Sequence, residues 1–97
     1  MASGTGSLYI YFGGHPGSNE ASVAVTGQNT ISATSKASAY VMSGDTSSDH
    51  TANDHKYLPV FAALTCSTPS TGTGFTIYGT STQKLTGQWA VRFVWSD

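Results

Sequence analysis

Apolar side chains recur at every second position near the start of the chain, in the segment SLYIYF. Leu8, Ile10 and Phe12 share one face of an extended chain. Tyr9 and Tyr11 lie on the opposite face. A period of two is typical of a β-strand with one buried face. The pattern therefore predicts a strand over 7–12 whose tyrosines point outward.

Similar apolar runs follow, separated by loops rich in Gly, Pro, Ser and Thr. They predict strands at 21–27, one or two within 29–43, and one each at 57–67, 75–81 and 88–96. Apolar residues nowhere recur at helical spacing over ten or more positions, so no helix is predicted. We expect an all-β fold, a small antiparallel β-sandwich of jelly-roll or Greek-key type with six to seven strands.

The first six residues, MASGTG, are small and show no alternation. They predict a flexible N-terminal arm over 1–6, followed by a single sandwich domain over 7–97. Free termini of this composition are usually mobile. We expect the arm to reach onto a neighbouring subunit, and we expect its removal to weaken assembly.

The last predicted strand is apolar on both faces. Trp89 and Trp95 belong to the face that a sheet must cover, whereas Arg92 is the one charged residue on the opposite face. Either the strand is central in its sheet or its second face meets a partner subunit. The predicted interface combines the arm with the outward faces of the first and last strands: Met1, Ala2, Ser3, Tyr9, Tyr11, Arg92 and Val94.

Charged residues make up 9% of the chain, against about 25% in typical domains. The net charge is −1, and the basic residues Lys36, Lys56, Lys84 and Arg92 are scattered. Scattered bases argue against nucleic-acid binding, which needs a basic patch. No apolar stretch is long enough for membrane insertion. The single cysteine, Cys66, lies in an apolar run and predicts a buried, inert thiol.

The stretch DTSSDHTANDH concentrates acidic and histidine residues. His50, Asp54 and His55 could supply three ligands to zinc or another divalent metal, or the stretch could carry catalysis. We favour a polar loop whose histidines bond to neighbouring strands. No cofactor other than this divalent metal is predicted. The chain lacks a Gly-x-Ser-x-Gly elbow and a suitable pair of carboxylates, so we expect no enzymatic activity.

Two non-enzymatic functions remain from the residues alone. One is a structural protein that packs against copies of itself. The other is a small carbohydrate-binding module that uses outward aromatic side chains, namely Tyr9, Tyr11, Tyr40 and Tyr78. Tyrosine is also common on ordinary strand surfaces and at protein interfaces.

The C-terminal portion GTGFTIYGTSTQKLTGQWAVRFVWSD resembles the ending of small virion-associated proteins of tailed bacteriophages. The shared features are a Gly-Phe-Thr-Ile strand, a Leu-x-Gly turn and an aromatic closing strand. TANDHKYLPVF and VTGQNTIS fit the same pattern, so the resemblance covers about the last two-thirds of the chain. It implies a β-rich, non-enzymatic virion component present in many copies, and it transfers no functional residue.

The resemblance gives the expected function and location. The protein would be made in the host cytoplasm and reside in the virion. There it would form homo-oligomers, contact other capsid or tail proteins, and decorate or stabilise a capsid or fibre. The alternative is a receptor-binding or glycan-binding module at a fibre tip, with a host surface glycan as partner. His50, Asp54 and His55 would then shape an interface loop or bind an ion at a symmetry axis.

Overall fold

The computed structural model describes residues 2–14, 17–42 and 44–97, without the side chains of Pro59 and Phe61. These residues form mainly β-structure, as the alternating pattern predicted. They also contain one helix, so the prediction of no helix is wrong. In chain order the elements are β1 (Ser3–Tyr11), β2 (Ser18–Val25), β3 (Lys36–Tyr40), α1 (Ala52–Phe61), β4 (Ala62–Cys66), β5 (Phe75–Leu85) and β6 (Gln88–Ser96).

The strands form two three-stranded antiparallel sheets. Sheet 1 has the order β1-β6-β3, and sheet 2 has the order β2-β5-β4. The last strand, β6, is therefore the centre of sheet 1, which was one of the two interpretations of its apolar faces. Successive strands alternate between sheet 1 and sheet 2, except that β4 and β5 both belong to sheet 2.

Side chains from both sheets form the hydrophobic core. Phe75 of β5 meets Phe93 of β6 edge to face, with ring centroids 5.6 Å apart. Alternate residues of β6 supply much of the core, as the sequence predicted. The buried cluster consists of Ile10, Phe12, Val25, Ile31, Leu58, Phe75, Ile77, Leu85, Trp89, Val91, Phe93 and Trp95.

Helix α1 begins with a capping box. The hydroxyl of Thr51 accepts from the backbone N–H of Asp54, and the Asp54 carboxylate accepts from the N–H of Thr51. This reciprocal pair satisfies donors that the first helical turn leaves free. His55 and Leu58, three residues apart on one helix face, are both buried. No helix in the described part of the chain is long and apolar enough to span a bilayer.

One predicted strand is corrected by this arrangement. The first half of 57–67 belongs to α1, and β4 begins only at Ala62. Proline lacks a backbone N–H and breaks helical spacing, so Pro59 favoured a strand in the sequence. Of the one or two strands predicted within 29–43, the structure has one, β3. Residues 29–35 before it form turns and irregular backbone, although Ile31 among them is buried.

Residues 3–6 of the predicted flexible arm are instead the first part of β1 and pair with the end of β6. Their small size has a packing reason. A Cβ on Gly4 would collide with the Trp95 indole, and one on Gly6 would collide with the Phe93 ring. The glycines therefore let two core rings lie against β1, and these residues pair within the chain's own sheet.

Candidate functional site

Most of the predicted interface residues meet on the outer face of sheet 1. Pairing of β1 with β6 places Thr5 beside Val94, Ser7 beside Arg92 and Tyr9 beside Ala90. Side chains alternate along each strand, so the outward residues of β1 are the odd-numbered ones. The outer face of sheet 1 comprises Ser3, Thr5, Ser7, Tyr9 and Tyr11 of β1, Lys36, Ser38 and Tyr40 of β3, and Gln88, Ala90, Arg92, Val94 and Ser96 of β6.

The tyrosines point outward, as the alternation predicted. Tyr9 is 52% exposed and Tyr11 is 58% exposed. Tyr40 lies on the same face at the far edge, whereas the exposed Tyr78 lies on β5 of sheet 2. Val94, also exposed, lies on the central strand β6 between Thr5 of β1 and Ser38 of β3. The four tyrosines therefore do not form a single row.

The beginning of the chain is anchored at the end of sheet 1. The backbone N–H of Ala2 donates to Asp97, and the N–H of Asp97 donates to the carbonyl of Ala2. Ser35 donates to the same carboxylate, and these hydrogen bonds hold the pKa of Asp97 below its usual value. Ala2 and Ser3 are thus held by their own sheet, and Met1 lies outside the described residues.

Arg92, at the centre of this face, is paired within the chain. Its Nε and Nη2 donate to the two carboxylate oxygens of Asp45 at 2.9 and 2.8 Å. The hydrogen bonds from Arg92 lower the pKa of Asp45, and Asp45 in turn raises the pKa of Arg92. A two-pronged pair of this kind fixes the guanidinium plane. On the outer face of sheet 1, the positive charge of Arg92 is therefore balanced by Asp45 of the same chain.

The 45–55 segment, which contains the acidic and histidine residues, lies along the end of β6. Strand β3 stops opposite Arg92, so Gln88 and Ala90 lie beyond its reach. Ser47 Oγ donates to the carbonyl of Gln88 at 2.6 Å, and Asp49 Oδ2 accepts from the N–H of Gln88 at 2.8 Å. Side chains thus satisfy backbone groups that a longer β3 would have paired.

His55 completes this arrangement and is fully buried, with 0% exposure. Its Nε2 accepts from the N–H of Ala90 at 2.8 Å, and its Nδ1 lies 2.8 Å from the carbonyl of Thr51. A carbonyl only accepts, so Nδ1 carries the proton. Both ring nitrogens are therefore occupied by the backbone, one on β6 and one at the start of α1.

His50 packs on the core rather than facing open solvent. Its ring stacks on Trp89 at a centroid distance of 3.5 Å and an interplanar angle of 18°. Nε2 donates to the carbonyl of Thr86 at 2.6 Å, and Nδ1 lies 3.3 Å from Asp54 Oδ2. The hydrogen bond from the backbone N–H of Thr51 is the main cause that lowers the pKa of Asp54, and the hydrogen bond with His50 is the second.

The predicted metal ligands do not form a ligand set in this geometry. His50 and Asp54 are adjacent, but both nitrogens of His55 are bonded to backbone groups. Among the described residues, no group of three or more His, Cys, Asp or Glu is placed to hold a metal ion. Of the favoured interpretation, His55 does bond to a neighbouring strand, through the N–H of Ala90 on β6. His50 bonds instead to Thr86, in the connection between β5 and β6. The predicted polar loop is also shorter than expected, because α1 begins at Ala52.

A recess opens beside the 45–55 segment at the end of β1. It combines an exposed aromatic ring with polar groups and glycine backbone, and its volume is about 330 Å³. The Oδ2 atom of Asp49 accepts a hydrogen bond from the backbone N–H of Gln88. The recess is lined by Tyr11, Gly13, Gly14, Asp49, His50, Thr86 and Gly87.

Sequence reasoning missed the bracing roles of Asp45, Ser47 and Asp49, because none of them has a local motif. It also missed α1, although a signal was present: Thr51 and Asp54 have the spacing of a capping box before an apolar run.

Cys66 is partly buried, and this burial raises the pKa of its thiol. A raised pKa disfavours the reactive thiolate.

Comparison of the chain with protein-family models, with curated proteins and with solved structures returned no match. The resemblance to virion-associated proteins of tailed bacteriophages therefore stays a prediction from the sequence.

Proposed function

We propose that the protein is a non-enzymatic structural component of a bacteriophage particle. In this proposal it self-associates, contacts other virion proteins, and decorates or stabilises a capsid or fibre. The outer face of sheet 1 is the observation that carries the proposal. The resemblance of the C-terminal portion to virion-associated proteins supplies the kind of assembly.

The outer face of sheet 1 has part of the composition of a protein interface. Tyrosine and arginine are enriched in interfaces, whereas lysine, acidic residues, serine and alanine are depleted. This face carries both enriched types and a single lysine, although several serines lie among them. On this face Tyr9, Tyr11 and Arg92 stand among hydroxyl-bearing side chains, and Lys36 lies at one end. The pairing of Arg92 with Asp45 removes the need to desolvate an isolated charge on contact. Such a surface offers little charge repulsion to a second protein.

The strand order supports a fold that suits assembly. We interpret the orders β1-β6-β3 and β2-β5-β4 as a β-sandwich of the jelly-roll kind, reduced to six strands in the described residues. Jelly rolls occur in viral capsid proteins and in lectins. A fold alone does not establish a function, so the interface composition remains the main argument.

Two measurements test the proposal. Light scattering across a range of protein concentrations should give a mass above that of the 10.1 kDa chain. Mass spectrometry of purified particles of the phage that encodes the chain should find it in many copies per particle. A monomer at every concentration would contradict self-association, and absence from the particles would contradict the virion role.

The alternative is a receptor-binding or glycan-binding module at a fibre tip. The recess beside Tyr11 favours it, because sugars stack on exposed aromatic rings and hydrogen-bond to nearby polar groups. Tyr11 offers the ring, while Asp49 and the glycine backbone offer polar groups. In this alternative the partner is a host surface glycan.

A glycan array followed by cell-adsorption assays separates the two functions. Tyr11→Ala should abolish glycan binding if the recess is the site, whereas Tyr78→Ala, on sheet 2, is the matched control. An array without hits, together with unchanged adsorption of the Tyr11 variant, would eliminate the alternative.

A further inference from the structure

We propose that the free edge of β1 pairs with β1 of a second copy. The two strands would run antiparallel about a two-fold axis and join two copies of sheet 1 into one continuous six-stranded sheet. This inference rests on the self-association in the proposed function and names the strand edge, bordering the outer face of sheet 1, through which two copies would pair. The partner is thus a second copy of this chain.

The backbone of β1 shows which residues present hydrogen-bonding groups at the free edge. The carbonyl of Ala2 accepts from Asp97, and the N–H of Phe12 donates to Gly87. Both bonds point toward β6 and its flanking residues. Because the direction of the hydrogen bonds alternates along an antiparallel strand, the even-numbered residues face β6. The backbone N–H and C=O groups of the odd-numbered residues, Ser3 to Tyr11, therefore point to the free edge.

The other three sheet edges carry features that discourage pairing with another chain. Strand β2 contains Glu20 and a register shift between Ser18 and Glu20. Strand β3 has five residues and begins with Lys36. Strand β4 also has only five residues. Short length, charge and bulges are the usual devices that protect an edge.

Strand β1 has none of these protective features. It extends over nine residues, Ser3–Tyr11, and its sequence SGTGSLYIY contains no charged residue and no proline. Its register with β6 is continuous from Ser3 to Tyr11. A long, regular, uncharged edge is the kind that adds a strand from another chain. Among the edges that the structure describes, β1 is therefore the one suited to self-pairing.

The sequence of β1 complements itself when the two-fold axis passes through Ser7. Ser7 then faces Ser7 of the second copy, and Thr5 faces Tyr9 of the second copy. Ser3 faces Tyr11 of the second copy in the same way. Pairs of an aromatic and a β-branched residue are favourable across antiparallel strands. The tyrosine half of each strand thus lies against the small hydroxyl half of its partner.

A charge at the axis tests the pairing directly. In Ser7→Glu, two carboxylates would meet across the axis, while each remains beside Arg92 of its own chain. We expect the dimer dissociation constant, measured by analytical ultracentrifugation, to rise about tenfold or more, because juxtaposed like charges are costly at an interface. Ser22→Glu, at an exposed position on the edge strand β2, is the matched control and should leave the constant unchanged.

Disulfide trapping tests the register. In a Cys66→Ser background, Ser7→Cys should form an intermolecular disulfide rapidly, since hydrogen-bonded antiparallel partners have Cα atoms about 5.5 Å apart. Thr5→Cys is the control. Strands rise about 3.4 Å per residue, so the two Thr5 residues would lie roughly 14 Å apart, too far for a bridge.

The outcomes separate this inference from the proposed function. An oligomer whose mass and dissociation constant are the same in wild type and Ser7→Glu, with equal trapping at positions 5 and 7, would overturn β1 pairing while self-association stands. A wild-type monomer at every concentration would overturn both. Weakening by Ser7→Glu alone, with fast trapping at position 7 alone, supports the paired edge. Circular dichroism of each variant checks that the fold is retained.

Discussion

On the side of β6 that faces β3, the two ends of the strand bond to different kinds of partner. Toward the C-terminus, β3 pairs with β6 in a regular ladder from Arg92 to Ser96. Toward the start of β6, side chains of the 45–55 segment bond to Gln88 and Ala90 instead. A ladder uses backbone groups that every residue has, whereas the second arrangement depends on particular side chains. Single substitutions should therefore affect the second arrangement much more strongly.

The largest expected effect comes from His55→Leu. It removes the acceptor for the N–H of Ala90 and the donor to the carbonyl of Thr51 in a fully buried site. We expect the free energy of unfolding to fall by about 2–4 kcal/mol in urea titrations, since unpaired buried polar groups are costly. His50→Leu is the control. Its ring is partly accessible, so a loss as large as that of His55→Leu would contradict the central role of His55.

Hydrogen exchange on the same variant sharpens the comparison. The amide of Ala90 should lose protection in His55→Leu, because its acceptor is gone. The amide of Val94, which lies opposite Ser38 of β3, should keep its protection. Equal loss at both amides would show that the two ends of β6 are not independent.

The next effect in size is that of the helix cap. Thr51→Ala removes the hydroxyl that accepts from Asp54 at the start of α1. Loss of such a cap costs about 1 kcal/mol, which thermal unfolding can measure. Ser48→Ala, at an exposed position of the same segment, is the control and should be close to neutral.

A smaller expected effect is the loss of folding stability at acidic pH. The folded-state pKa values of Asp45, Asp54 and Asp97 lie below the usual 3.8. Each carboxylate therefore contributes stability that is present above about pH 4 and is lost as the pH falls through its folded value. Unfolding monitored from pH 5 to pH 2 should show this loss. Asp45→Asn should make the dependence shallower, and an unchanged slope would contradict the role of the Arg92 pair.

The smallest expected effect is that of a chelator. Because both nitrogens of His55 bond to the backbone, removal of divalent metals should leave the melting temperature and the mass in solution unchanged. Calorimetry and light scattering with and without chelator check this. Loss of higher-order species that added zinc restores would contradict it and would require His55 to leave its partners.

Much of the strand structure could be predicted, because an alternating pattern reports directly which side chains are buried. The inward face of β6 and the outward position of Tyr9 and Tyr11 follow from spacing alone. Helix α1 was missed because Pro59 and the surrounding β pattern outweighed the capping signature of Thr51 and Asp54. Gly4 was assigned to an arm because nothing local indicates the ring that packs over it.

The sequence by itself determined the β class, the burial of alternate residues and a surface poor in charge, since these depend on composition and on neighbours along the chain. Tertiary structure decided the rest. Only the early end of β3 leaves Ala90 to be bonded by His55, and only the approach of Trp95 explains Gly4. Which of these groups meet depends on contacts between residues far apart in sequence, and spacing along the chain carries no record of such contacts.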